Sequence, residues 1–159
     1  MPAYQQCGRP GAGQCDVCDN PLDSAPFDSS AVLPAPGPGQ EIVLARYSLR
    51  PRYCGMLRFF TQFTDRYAAD PTKIRTPGYQ WQIRSGAQPL DPYLTFEHII
   101  NPWGSSAVPI DIRLPESATI EFIIRNVGAT GTDVLSEVGG RLVGRHWYDT
   151  RFGGAPRSL

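Results

Sequence analysis

Lysine is nearly missing from this chain of 159 residues: 14 of its 15 basic side chains are arginine, and only Lys73 breaks the rule. Arginine's planar fork suits fixed carboxylate pairing across interfaces, although GC-rich coding, which also favours Ala, Gly and Pro, accounts for the bias as well. A net charge is missing too, because 15 acidic residues cancel the basic ones. No whole-chain field therefore draws the protein to nucleic acid or to an anionic membrane. Apolar runs stay far below the ~20 residues that cross a bilayer, and residues 1–6 show no charged-then-apolar leader. These absences predict synthesis in the cytoplasm, with no membrane partner and no direct nucleic-acid partner.

Catalytic patterning is equally thin. The histidines, His98 and His146, form neither an HxH nor an HExxH frame, so a catalytic metal has no patterned ligand set. Each reads as a satisfied sheet residue. No Gly-x-Ser-x-Gly elbow and no phosphate-cradling loop occurs. Glu97, Asp111 and Glu121 fall at outward positions of alternating strands, where a solvated face is expected rather than a carboxylate pair for glycoside cleavage. The expectation is a protein that is not an enzyme.

What is abundant is short alternation. Tyr79-Gln-Trp-Gln-Ile-Arg84 and Ala118–Val127, with Ile120, Phe122 and Ile124 on one face, carry the period of two that marks half-buried strands. Further strands are predicted at Glu41–Leu49, Gly55–Phe63, Tyr93–Ile100, Val108–Leu114 and Val138–Tyr148. Ser85-Gly86, Asn101-Pro-Trp-Gly104 and Leu114-Pro-Glu-Ser117 supply turns. The polar segment 64–77 has room for one short helical turn at most. Strands in this number without a substantial helix predict an all-β antiparallel sandwich, jelly-roll or Ig-like, of about seven to eight strands over residues 40–150. A body of this size buries roughly two-thirds of its unfolded surface, enough to fold alone.

Residues 1–39 read differently. Proline and glycine dominate, and Leu33-Pro-Ala-Pro-Gly-Pro-Gly39 cannot enter a helix or a central strand. An extended arm is expected there, and a flexible tail at 151–159. The arm carries Cys7, Cys15 and Cys18, the last two in a Cys-x-x-Cys turn of zinc-binding spacing. Three thiolates leave a tetrahedral zinc site one ligand short. Cys54, His98, His146, Asp16, Asp19 or another chain would have to complete it. A disulfide formed in an oxidised particle and simple free thiols are the alternatives, since cytosolic thiols stay reduced during synthesis. Trp81 is expected in the core. Trp103, in its turn, is either a plug or an exposed contact, and the pair Trp147-Tyr148 is expected to cover the sandwich end or a neighbouring subunit.

The combination of arm, compact sandwich and missing active site resembles accessory virion proteins of tailed bacteriophages. Ile99-Ile-Asn-Pro-Trp-Gly104, Val108–Glu116 and Gly140-Arg-Leu-Val-Gly-Arg-His-Trp-Tyr148 carry the likeness, which is one of pattern over residues 40–150. It implies a structural protein in the virion that decorates the capsid, collars the neck at the head-tail connector, or braces the tail. Its partners would be other virion proteins and copies of itself. Two rivals remain at this stage: a carbohydrate-binding sandwich module and a zinc-stabilised protein-binding module.

Overall fold

The computed structural model describes residues 24–86, 88–90, 95–104 and 109–149. Eight strands form two four-stranded sheets: β1 (Ala25–Pro34), β2 (Glu41–Ser48), β3 (Tyr53–Thr64), β4 (Tyr79–Ser85), β5 (Gln88–Pro89), β6 (Ile112–Leu114), β7 (Thr119–Asn126) and β8 (Glu137–Tyr148). Their orders are β1-β8-β3-β6 and β2-β7-β4-β5. Every pairing between these strands is antiparallel. The nested pairs β1–β8, β2–β7, β3–β6 and β4–β5 alternate between the sheets, as in one long hairpin rolled over on itself. Of the two sandwich types expected, this is the jelly roll.

The inner faces are aromatic. Trp81, Phe60 and Phe122 are fully buried, with Phe60 and Trp81 lying 5.4 and 5.7 Å from Phe122 between ring centroids. Burying one such side chain stabilises the fold by about 1.5–3 kcal/mol. Gly140 permits this packing, because a Cβ there would lie 2.6 Å from Phe122 Cδ1 and 2.8 Å from Leu44 Cβ. The polar handles of the large rings are satisfied: Trp81 Nε1 donates to Thr76 Oγ1 at 3.0 Å, and Tyr79 Oη accepts the Leu135 amide at 3.1 Å.

Part of the segment expected to be an arm is sheet instead. Residues 25–34 are a full edge strand, in register with β8 from Ala25↔His146 to Pro34↔Glu137. Proline donates nothing to a ladder, so a stretch holding Pro26 and Pro34 looks unfit for a sheet; at an edge, one side needs no donors. Phe27 then anchors the strand, only 5% exposed and stacked on Tyr47 at 3.9 Å. Between residues 95 and 100 the predicted strand shrinks to single bridges, Trp81↔Phe96 and Arg75↔His98. The strand predicted to end at Leu114 is ordered as β6 over only three residues. Segment 64–77 contains the one helical turn it had room for, α1 (Asp65–Ala69), whose N-cap Thr64 accepts the Tyr67 amide at 3.0 Å.

Candidate functional site

Three surfaces differ from an ordinary solvated sandwich. The first is a pocket of about 150 Å³ lined by Tyr47, Leu49, Arg50, Tyr53 and His146. Alternation along β8 places His146 on the inner side with Gly144 and Tyr148, and it sits in register with Ala25 and Gly55. Its Nδ1 is 2.8 Å from Tyr47 Oη, and its ring lies 5.9 Å from Tyr47 and 5.8 Å from Tyr53. Burial pushes the His146 pKa below its usual value, and the charges of Arg50 and Arg145 add to that, so the ring is held neutral. Burial raises the Tyr47 hydroxyl pKa, against the opposing pull of Arg50.

The rim is set by a tight turn between β2 and β3. Arg52 holds a left-handed φ of 68°. Three hydrogen bonds fix it there: the Tyr53 amide to Arg50 O at 3.0 Å, the Arg52 amide to Glu116 Oε1 at 2.8 Å, and the Asp149 amide to Arg52 O at 2.8 Å. A non-glycine residue in that conformation costs about 1–3 kcal/mol and persists only where its surroundings over-determine it.

The second surface is the outer face of the β1-β8-β3-β6 sheet. Cys54, Met56 and Trp147 form a small buried cluster there, separate from the main core. The Arg113 guanidinium lies 5.8 Å from the centre of the Trp147 ring. Further along, the register puts Phe59 opposite Val143 and Phe63 opposite Gly139. A Cβ on Gly139 would touch Val32 and Phe63, which places those two on the outer side. Phe59, Phe63 and Val143 are half-buried, and Val32 is exposed.

The third is the outer face of the other sheet. Glu121 on β7 accepts from Arg46 Nε at 2.7 Å and Arg84 Nε at 2.9 Å, while Glu41 binds Arg84 and Arg125 at 2.9 and 2.8 Å. Glu121 is 9% exposed, not the solvated carboxylate that its outward position predicted. Two arginines reach over it from the flanking strands. Desolvation pushes its pKa up, but hydrogen bonds from Arg84 and Arg46 and their charges outweigh it, leaving the carboxyl below its usual value.

The residues singled out from sequence disperse. Trp147 and Tyr148, as strand neighbours, point to opposite faces and are 3% and 8% exposed. Tyr148 packs edge-on against Tyr53 at 5.6 Å and closes the end of the sandwich next to the pocket. Trp103 is half-buried, in a loop fastened by Gln62: the Trp103 amide donates to Gln62 O at 2.7 Å, and Gln62 Oε1 accepts from Ile100 at 2.8 Å. Cys7, Cys15 and Cys18 lie outside the described residues. Cys54 is disulfide-bonded, and a bridged sulfur offers no thiolate to a metal. For the same reason its 3.6 Å approach to Asp149 Oδ2 is a contact without a proton to share. Among the described residues, no three His, Cys, Asp or Glu side chains gather as a metal site, His98 and His146 included.

Sequence reasoning missed the pocket. One signal was available: alternation puts Tyr47 on the inner face of β2 and His146 beside Tyr148, so three polar-tipped rings share one end of the sandwich. No protein-family model matches the chain, and no curated protein matches it.

Proposed function

We propose that this protein is a non-enzymatic structural subunit of a virus particle of the tailed-bacteriophage kind. It serves in capsid decoration, as a neck collar or in tail bracing, and binds copies of itself and neighbouring virion proteins. The observation that carries this reading is the apolar patch on the outer face of the β1-β8-β3-β6 sheet, where Phe59, Phe63, Val143 and Val32 stand beside the Asp28–Arg141 ion pair on the side that a lone sandwich gives to water. Half-buried aromatics on a flat sheet face are the material of protein–protein contacts. The jelly roll is an architecture of viral capsid proteins, lectins and cupins, and it supplies a compatible scaffold without fixing the role.

The test is composition. Particles purified from a host expressing the chain should contain it at a fixed ratio to the major capsid protein, measured by quantitative mass spectrometry. The full-length variant carrying Phe59→Ser and Phe63→Ser should be folded but missing from those particles. Absence of the unaltered chain from particles, or normal incorporation of the variant, would defeat the reading.

A further inference from the structure

The pocket at the β2–β3 turn has features that a subunit contact does not require. Its two tyrosines and His146 make rigid aromatic walls over a Leu49 floor, and its volume of about 150 Å³ is the size that takes one six-membered ring. Its polar equipment is unspent. Among the described residues the Arg50 guanidinium has no carboxylate partner, and the Tyr53 hydroxyl has no hydrogen-bond partner. His146 uses only Nδ1, on Tyr47 Oη. No acidic side chain lines the cavity. A cationic mouth, aromatic walls and free donors at the edge therefore meet in one place.

We propose that this pocket binds a carboxylate-bearing sugar ring, such as a uronic or sialic acid residue at the end of a glycan. Arg50 takes the carboxylate, and Tyr53 and Tyr47 take the apolar CH face of the ring. The Tyr53 hydroxyl and His146 Nε2 meet the ring hydroxyls, which an aromatic carboxylate would leave unmatched. The turn that places Arg50 and Tyr53 is pinned through Arg52 and Glu116, so the site is formed before ligand arrives.

The inference is independent of the assembly reading, and its test uses single chains in solution. NMR titration of the full-length protein with glucuronate and N-acetylneuraminate should move the His146 and Tyr53 ring signals saturably for at least one of them. Arg50→Ala should weaken that binding by at least about tenfold, the loss of a charge-assisted contact. Arg50 is solvent-exposed, so the variant keeps the fold. As a second probe, Tyr53→Phe removes the hydroxyl, leaves the wall and should weaken binding less. No saturable shift with either acidic sugar overturns the proposal. So does glucose or benzoate binding as well as the acidic sugars, or an Arg50→Ala variant that binds like the parent.

Discussion

The two outer faces of this sandwich solve the same problem with opposite chemistry. On the β2-β7-β4-β5 sheet, arginines from flanking strands close over Glu121, and a paired network of Arg46, Arg84, Arg125, Glu41 and Glu121 meets the solvent. On the β1-β8-β3-β6 sheet, one ion pair, Arg141 with Asp28, stands beside an apolar patch of Phe59, Phe63, Val143 and Val32, with Met56 and Trp147 buried further along. The first face pairs its charges within itself, three arginines holding two carboxylates. The second keeps unspent hydrophobic surface, which has value only against something else. A charged face of this kind discourages the wrong partner and an apolar one gains from the right partner, so together they give the molecule a front and a back.

The largest way to break this contrast is to remove β1, which borders the apolar face and stacks Phe27 on Tyr47. Deleting residues 1–39 should abolish cooperative thermal unfolding, whereas deleting 1–23, which also removes the bridge to Cys54, should retain it at a lower melting temperature, as read by calorimetry. Next, Trp147→Ala should cost about 3–5 kcal/mol, measured by urea unfolding, because a large buried ring leaves a cavity. Glu121→Gln should cost less, about 1–3 kcal/mol, by leaving Arg46 and Arg84 facing a neutral amide. Salt sharpens the comparison: the Glu121→Gln penalty should shrink at high ionic strength and the Trp147→Ala penalty should not.

The smallest effects are those of mild acid. The folded pKa of Glu121 lies below its ordinary value of 4.5, so the unfolded chain takes up the proton first as pH falls. Its stabilisation is complete above that value and is lost as pH drops through the folded pKa. His146 is also depressed, from 6.5, so the folded state resists its protonation. Stability from this source is therefore present above 6.5 and declines as pH falls from there toward its folded pKa. Melting temperatures across that range should fall in two stages. Glu121→Gln should shrink the lower stage, to which Asp28 on Arg141 also contributes, and His146→Gln should remove the upper.

Much of the fold could be read in the sequence where a strand has one wet and one dry face. β4 alternates cleanly and β7 keeps Ile120, Phe122 and Ile124 on one face, and the two are predicted nearly to their ends. β1 escaped because its prolines are poor strand formers everywhere except an edge, and edge position is a property of the whole sheet. β5, at two residues, carries too little pattern to register, and the strand expected over Val108–Leu114 is found only as the three residues of β6. The site was less legible for the same kind of reason. The outward position of Glu121 was correct, but its burial depends on Arg46 and Arg84, 75 and 37 residues away. His146 read as a satisfied sheet residue, and its bond to Tyr47 agrees. The cavity beside it comes from a turn 96 residues upstream, a separation that periodicity does not span.

The pairing of β1 with β8 also has a consequence in time. Phe27 and His146 come to the same end of the sandwich, so the earliest strand has no sheet to join until the latest has been made. During synthesis β1 must wait, through more than a hundred residues, as an unpaired edge bearing exposed apolar side chains. Contacts so distant along the chain slow folding and lengthen the interval in which aggregation competes. Pro26 and Pro34, which obscured the strand in the sequence, are also the residues that hinder a stray chain from pairing with it during that wait.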